Sequence, residues 1–360
     1  MNKWLKPPLA PMEAKQVDEI PIGDEWQYEP KWDGFRCLVF RDGKDVYLQS
    51  KAGQPLARYF PEIVEAVREL KSRRFVLDAE LVVPIGQRSS FDDLLQRIHP
   101  AASRVNKLAR ERPAVLIVFD LLQQGTELLV PLTLAERRPR LEAFAAEQFS
   151  ENGRLRLSPA THSLATARRW FSRVGAALDG VIAKRLDVPY LSADRSGMQK
   201  VKPIRTADCV VGGFRWATRG RKVGSLLLGL YNDEGQLDHV GFTASFTAKE
   251  RQEVEQAIHD HIGPPGFTGS APGGPSRWST KRSTEWTPLD DKLVVEVEYD
   301  QFTSGRFRHG TKLLRWRPDK APRQCKFDQV EHGGGSLRLL KGPASAHSTR
   351  RARRPRATSA

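Results

Sequence analysis

Few cysteines and the lack of a long apolar segment limit what this 360-residue chain can be. Its three cysteines, Cys37, Cys209 and Cys325, form no CxxC pair, which excludes a zinc ribbon and a disulfide framework. The longest apolar run, from Ala114 to Phe119, is far shorter than the roughly 18 residues that cross a bilayer. The first residues, MNKWLKPPLAPMEAK, contain early prolines and lack the apolar core of a signal peptide. We therefore expect a reduced, cytoplasmic protein without a membrane segment.

Positive charge, by contrast, is in excess. The chain has 58 Lys and Arg against 43 Asp and Glu, a formal charge of +15 with neutral histidines. The excess is uneven, because residues 1–206 carry +7, residues 207–340 carry +2 and residues 341–360 carry +6. Such a charge favours a polyanionic partner but does not identify it.

The order of the predicted elements divides the chain into two folded parts and a tail. Residues 1–206 alternate strands with helices, and the dipeptide Asp42-Gly43 predicts a hairpin turn between two of the strands. In residues 207–330, five or so short strands and one helix predict a small β-barrel such as an OB-fold, which often grips nucleic acid strands. Residues 331–360 form a basic tail that we predict to be disordered.

Charged residues recur in short motifs along the first part. The segment EPKWDGFR places Lys31 two residues before Asp-Gly, a pattern that alone is weak evidence because it also arises by chance. In FVLDAELVV, period-two alternation puts Asp78 and Glu80 on one strand face, where two buried acids need partners. Lys200 and Lys202 also share a strand face, and a phosphate between them would relieve their repulsion.

The remaining motifs lie near predicted strands. Phe119 is near the end of an apolar strand, where its ring could pack in the core or stack on a base. Asp179 precedes the apolar strand GVIA, and Lys184 follows it. In the second part, RWRPDK repeats the pairing of two basic residues two positions apart.

Taken in order, these motifs resemble those of the covalent nucleotidyltransferase superfamily of ligases and capping enzymes. The resemblance spans residues 12–330 and is closest to the compact bacterial ATP-dependent DNA ligases of the ligase C group, with further similarity in YFPEIVEAV, SFDDLLQRIHPAASRV and RFRHGTKLLRWRPDK. It implies an α+β nucleotidyltransferase (adenylation, ATP-grasp-like) domain followed by an OB-fold domain. It also implies ATP as the AMP donor, Mg²⁺ or Mn²⁺ as the metal, and nicked double-stranded DNA as the partner. A monomer in the bacterial cytosol, working in DNA repair with other repair proteins, would fit this resemblance.

The resemblance further implies roles for single residues. Lys31 would attack the α-phosphate of ATP to form a lysyl-adenylate, then pass AMP to the 5′-phosphate of a nick. Asp179 and Glu80 would bind the metal ion. The residues that would bind the nucleotide or neutralise the transferring phosphate are Glu29, Arg36, Glu80, Phe119, Lys184, Lys200 and Lys202.

The barrel and the protein surface would complete the reaction. Arg317 and Asp319 would orient the pyrophosphate, which requires the barrel to close over ATP and then swing away. The residues that would contact DNA are Lys51, Arg306 and Arg308. Two positions depart from the family pattern: Asp179 stands where Glu is usual, and Lys51 stands where Arg is more common.

Two alternatives remain open at the level of sequence. One is another nucleotidyltransferase, either an RNA ligase or a capping enzyme that uses GTP. The other is a non-catalytic OB-fold protein that binds nucleic acid. Transfer of label from ATP or GTP to the protein, and its loss in Lys31→Ala, distinguishes them.

Overall fold

The first part of the chain mixes strands and helices, as predicted. The structure, a computed structural model, describes residues 4–86, 88–172, 178–218, 222–273, 285–330 and 336–340. The elements of the first part are β1 (Lys15–Val17), β2 (Trp26–Pro30), β3 (Phe35–Asp42), β4 (Asp45–Ser50), α1 (Pro61–Glu69), β5 (Arg74–Val82), β6 (Pro84–Ile85), β7 (Arg88–Ser89), α2 (Phe91–Arg97), α3 (Ala102–Glu111), β8 (Val115–Gln124), β9 (Glu127–Leu128), α4 (Leu134–Gln148), β10 (Leu155–Leu157), α5 (Leu164–Ser172), β11 (Val181–Arg185) and β12 (Met198–Val201).

Most of these strands belong to two sheets. In the first sheet, ordered β1–β12–β11–β2, only β1 and β12 run parallel. The second sheet has the order β10–β8–β5–β3–β4, with β9 beside β8. A hairpin turn joins β3 to β4 as predicted, but its central residues are Gly43 and Lys44, because Asp42 still pairs with Asp45 in the strands. Gly43 has a φ of +63°, which glycine adopts without a steric penalty.

Alternate side chains of β3 enter different apolar layers because successive residues of a strand point to opposite faces. Cys37 and Val39 are buried beneath α1 and α4. Leu38 and Phe40 are buried on the other face, in a layer that includes Met198 of the first sheet. This second layer holds the two sheets face to face, and the cavity described below lies between the same sheets.

The second part is a strongly curved antiparallel sheet in the order β15–β14–β13–β17–β20. The backbone N–H of Thr311 donates to the carbonyl of Phe242 at 3.0 Å, which brings the start of β20 against the end of β15 and closes the sheet towards a barrel. Helix α6 buries Val254 and Ile258 in the barrel core. The elements are β13 (Arg205–Trp216), β14 (Val223–Tyr231), β15 (Leu237–Thr243), α6 (Ala248–Ile258), β16 (Thr287–Pro288), β17 (Val294–Tyr299), β18 (Phe302–Thr303), β19 (Arg306–Phe307) and β20 (Lys312–Trp316).

The barrel contacts the first part through residues next to the β18–β19 hairpin. The Gln301 side-chain amide donates to Asp179 Oδ1 at 3.1 Å, and Arg308 Nη1 donates to Asp33 Oδ1 at 3.0 Å. The Arg308 guanidinium also lies 3.3 Å from the centre of the Phe91 ring. Both Asp33 and Asp179 lie close to Lys31, so this hairpin docks beside the sequence motif with the predicted nucleophile.

A short helix near the carboxyl end also packs against the first part. Ser336–Leu340 forms a 3₁₀ helix within the predicted tail, and Leu337 and Leu340 pack in a cluster with Trp32 and Val82. The rest of the predicted tail, residues 331–335 and 341–360, lies outside the described residues. Within the described ranges, no helix combines the length and the apolar character that crossing a membrane requires.

Candidate active site

A cavity of about 840 Å³ lies between the two sheets of the first part. One wall comes from β2, β11 and β12, and the other from β3, β5 and β8. Among the residues predicted from the sequence, those that line it are Glu29, Lys31, Arg36, Lys51, Glu80, Phe119, Lys184 and Lys200. The fold thus brings motifs from across some 170 residues of sequence to one surface.

Lys31 is fixed against Asp179 by both backbone and side chain. The two residues lie where β2 ends and β11 begins, and the backbone N–H of Asp179 donates to the carbonyl of Lys31 at 2.9 Å. Gly180 is required here, because a Cβ at this position would lie 2.0 Å from the carbonyl oxygen of Val201. Lys31 Nζ donates to Asp179 Oδ2, and Lys202 Nζ lies 3.1 Å from the same oxygen.

This arrangement sets the charge of the predicted nucleophile. Burial disfavours the ammonium of Lys31, but the carboxylates of Asp179, Glu80 and Asp33, Asp179 foremost, together hold the pKa of Lys31 above its ordinary value. Burial likewise disfavours the charge of Asp179, but Lys31 and Lys202 hold the pKa of Asp179 below its ordinary value. Lys31 is therefore protonated at neutral pH, and a nucleophilic role would require that it first lose this proton.

Deeper in the cavity, Glu29 and Lys184 form a buried ion pair beside Phe119. Lys184 Nζ donates to Glu29 Oε2 at 2.8 Å, and the amide of Gln27 donates to Glu29 Oε1 at 2.8 Å. Lys184 Nζ also lies 4.6 Å from the centre of the Phe119 ring. The Arg36 guanidinium lies at the same distance, 4.6 Å, from that centre. A ring flanked by cations and a hydrogen-bonding carboxylate can recognise a planar base by stacking and by its polar edge.

Arg36 is held in the cavity wall by a buried carboxylate. Asp78 Oδ1 and Oδ2 each accept a hydrogen bond of 2.5 Å from Arg36, and the Tyr190 hydroxyl donates to Oδ2 at 2.6 Å. The Tyr190 oxygen in turn accepts the backbone N–H of Met12 at 3.0 Å. Asp78 therefore fixes Arg36, Tyr190 and the segment that forms the cavity mouth.

Two further groups show how strongly the cavity perturbs ionisable side chains. Burial raises the pKa of Glu80 to about 7, although Lys31 and Arg36 partly oppose this. Burial, followed by repulsion from Lys202 and Lys31, lowers the pKa of Lys200. An added anion would stabilise the protonated form of Lys200, which is the behaviour expected of a phosphate-binding lysine.

The protein side chains alone do not complete a metal site. In the part of the chain that the structure describes, no three His, Cys, Asp or Glu side chains are grouped so that they could hold a metal ion. Asp179, Glu80 and Asp33 all act on the charge of Lys31, and Asp33 is already paired with Arg308. Mg²⁺ usually takes one or two carboxylates and completes its shell with water and substrate phosphates, so this donor set fits it.

The predicted barrel residues lie away from the cavity. Arg317 forms a two-pronged ion pair with Asp319, with nitrogen–oxygen distances of 2.9 Å. Its Nη1 donates to Asp208 of the barrel at 2.7 Å. Arg306 is exposed on β19, and Arg308 faces the first part as described above. The structure thus gathers the predicted residues of the first part and leaves Arg317 and Asp319 on another face of the barrel.

Sequence reasoning missed several residues that shape the cavity. Gln27 and Tyr190 act as partners of Glu29 and Asp78, and Arg195 lines the cavity mouth. The signal for Gln27 was present, because it lies two residues before Glu29 on the same strand face. Tyr190 and Arg195 come from a loop, and no local pattern places them.

Comparison with known proteins identifies the class of enzyme that this cavity and barrel define. A model described as the ATP dependent DNA ligase domain matches residues 11–202, and one described as the ATP dependent DNA ligase C terminal region matches residues 219–320. The chain therefore belongs to the family of ATP-dependent DNA ligases, with a nucleotidyltransferase domain followed by an OB-fold domain. Both the family and the fold class predicted from the motifs are thus confirmed.

Relatives of this chain within the family include DNA ligases of the C type. DNA ligase C1 of Mycolicibacterium smegmatis is 45% identical over 346 residues, which cover 92% of this chain and 96% of the relative. DNA ligase C of Mycobacterium tuberculosis is 42% identical over 348 residues, with the same coverage of 92% and 96%. A solved Lig E DNA ligase is similar in fold, with a TM-score of 0.53 and 18% identity over 86% of this chain and 99% of the other.

Proposed function

We propose that this ligase seals nicks between a 5′-phosphate and a 3′-hydroxyl in duplex DNA, with Lys31 as the residue that carries AMP. The observation that supports this most directly is that Lys31, whose Nζ pairs with Asp179, lines the same cavity as the Glu29–Lys184 pair and Phe119. The same cavity thus combines this amine with a site suited to a base and with Lys200, a lysine suited to phosphate.

In the first step, Lys31 Nζ loses a proton and forms a bond to the α-phosphorus of ATP, while the bond from that phosphorus to the bridging oxygen breaks and pyrophosphate leaves. Glu29 and Phe119 hold the adenine, and Arg36 contacts the nucleotide. Lys200 and Lys202 neutralise the charge that develops on the transferring phosphoryl group.

In the later steps, a 5′-phosphate oxygen of the nick attacks the adenylate phosphorus and the bond to Lys31 breaks. The 3′-hydroxyl then attacks the activated 5′-phosphate, and AMP leaves. Asp179 and Glu80 would hold Mg²⁺ or Mn²⁺ together with phosphate oxygens, and the ion would supply charge stabilisation. Lys51, Arg306 and Arg308 are proposed to contact DNA.

The proposal also assigns a role to each part of the chain. Residues 1–206 would act as the nucleotidyltransferase unit, residues 207–330 as the OB-fold unit, and residues 331–360 as a basic tail. Arg317 and Asp319 would reach the pyrophosphate after the barrel turns a different face to the cavity, a motion that interfaces of this kind allow. We further propose a cytoplasmic monomer that works in DNA repair with other repair proteins.

The test follows the label through the reaction. Wild type, Lys31→Ala and the matched control Lys107→Ala, which changes an exposed lysine on α3, are incubated with α-labelled ATP or GTP and Mg²⁺ and then with nicked duplex DNA. We expect label from ATP on wild type and Lys107→Ala, its transfer to the nick, and no label on Lys31→Ala. Labelling from GTP alone, or nick sealing by Lys31→Ala, would contradict the proposal.

A further inference from the structure

Glu13 places a carboxylate between two cations at the mouth of the cavity. Arg195 donates to Glu13 Oε2 through Nε at 3.0 Å and through Nη2 at 2.8 Å. Lys51 Nζ lies 3.3 Å from the other oxygen, Oε1. All three residues line the cavity. The side chains of Lys51 and Arg195 are 62% and 69% exposed, whereas that of Glu13 is 25% exposed, so the carboxylate lies deeper than its partners.

The backbone, not only the side chains, brings these groups together. The N–H of Glu13 donates to the carbonyl of Asp194 at 2.9 Å, and the N–H of Ala193 donates to the carbonyl of Pro11 at 3.2 Å. The Asp194 side chain accepts the backbone N–H of Ser196 at 2.7 Å, which braces the chain on both sides of the arginine. Because the two segments are joined in this way, Glu13 and Arg195 meet even though 182 positions separate them.

The carboxylate makes the contacts that a phosphate would make at the same place. A guanidinium binds carboxylates and phosphates through the same pair of N–H groups, and a lysine adds a point charge on the opposite side. The hydrogen bond from Arg195 and the charge of Lys51 hold the pKa of Glu13 below its ordinary value, so Glu13 is ionised at neutral pH. An incoming phosphate monoester therefore meets a negative charge already paired with the two cations.

We propose that Glu13 occupies the binding position of the nick 5′-phosphate between Lys51 and Arg195, and that the phosphate binds there only by displacing it. Glu13 thereby sets how strongly the enzyme prefers a phosphorylated nick over an unphosphorylated one. This inference rests on the proposed role of Lys51 in binding the 5′-phosphate and adds the residue that competes with that phosphate.

The experiment compares the binding of two nicked duplexes, one with a 5′-phosphate and one with a 5′-hydroxyl. Fluorescence anisotropy is measured with the full chain in EDTA without ATP, so that no strand is joined. The variants are Glu13→Gln, which keeps the shape and removes the charge, Lys51→Ala, Arg195→Ala and the control Glu65→Gln. Glu65 is exposed on α1 and does not line the cavity, so it controls for net charge. ATP-dependent labelling of each variant is measured separately.

For Glu13→Gln, we expect the ratio of the two dissociation constants to widen about fivefold in favour of the phosphorylated nick, since a unit charge facing a phosphate at this partly exposed site is removed. Lys51→Ala and Arg195→Ala should narrow the ratio, and Glu65→Gln should leave it unchanged. If the ratio of the two dissociation constants is unchanged or narrower in Glu13→Gln, the inference is overturned. It is also overturned if Glu13→Gln changes only the ATP concentration needed for labelling and not the binding of the two duplexes. If Lys51→Ala and Arg195→Ala leave the ratio intact, the proposed role of Lys51 itself fails, which is a different result.

Discussion

The buried carboxylate of Asp78 makes the sharpest prediction about how the cavity is held. Asp78 is completely buried on β5 and accepts two hydrogen bonds from Arg36 and one from Tyr190. In Asp78→Asn, the amide keeps the shape but has a single acceptor oxygen and no charge. The Arg36 guanidinium would then face an NH₂ group and lose its counter-ion.

The cost can be bounded from the burial of the two partners. Removing one member of a buried ion pair typically costs about 3–5 kcal/mol of unfolding free energy. Arg36 is 21% exposed, so water can partly solvate it, and we expect a loss near the lower end, about 3 kcal/mol. Asp187→Asn is the matched control, because Asp187 makes the same two-pronged contact with Arg185 but is 55% exposed. That pair should contribute about 1 kcal/mol or less.

Urea unfolding of the two variants measures the stability effect, and labelling by ATP measures the effect on the cavity. Because Arg36 lines the cavity beside Phe119, Asp78→Asn should also raise the ATP concentration that gives half-maximal labelling. The double variant with Arg36→Met should lose less stability than the sum of the single losses, since the two residues act as a pair. Strict additivity, or a loss in Asp78→Asn no larger than that in Asp187→Asn, would refute this reasoning.

Three further outcomes are expected. Arg308→Ala removes the ion pair with Asp33, so X-ray scattering in solution should give a larger radius of gyration; an unchanged radius would count against docking through this contact. Burial lowers the pKa of His239 to about 3, whereas the unfolded chain takes up this proton near 6.5, so stability falls as pH drops from about 6.5 towards 3. Between neutral pH and pH 5, the free energy of unfolding measured in urea should fall by about 2 kcal/mol more for the wild type than for His239→Phe. Equal losses in the two proteins would refute this assignment. Deleting residues 341–360, which carry six basic and no acidic residues, should weaken DNA binding and reduce its salt dependence, and an unchanged slope would show that they do not touch DNA.

Local sequence was sufficient where a short segment determines its own conformation. The Asp-Gly dipeptide correctly predicted a hairpin between β3 and β4, although the turn lies one residue further on, at Gly43 and Lys44, where Gly43 supplies the positive φ. Strand alternation likewise placed Asp78 and Glu80 on one face of β5, and both act on Arg36 in the structure. The need of these acids for partners was therefore predictable, although the partners were not.

Contacts between distant segments could not be predicted from local patterns. Glu29 and Lys184 are separated by 155 positions, and they meet because β2 and β11 pair in an antiparallel register. Each residue was assigned to nucleotide binding, but nothing in either motif shows that they neutralise each other. Glu13 has no motif at all, and its role depends on a loop that is held by backbone hydrogen bonds to its own segment.

Local sequence also does not predict which face of the barrel lies against the cavity. In the proposed mechanism, this face connects the environment of Asp179 with the approach of Arg317 to the pyrophosphate. Gln301 donates to Asp179 Oδ1, while Lys31 and Lys202 hold Oδ2, so docking of this face engages both oxygens of the carboxylate beside the nucleophile. If Arg317 is to reach the pyrophosphate, this contact must break. This contact alone is a single neutral hydrogen bond to a charged group, of the order of 1.5–3 kcal/mol, and turning the face away would also break the ion pair between Arg308 and Asp33. In the proposed mechanism, the motion that brings Arg317 to the cavity would also free Oδ1 of Asp179, and a metal ion held by that oxygen would draw the charge of the carboxylate away from Lys31.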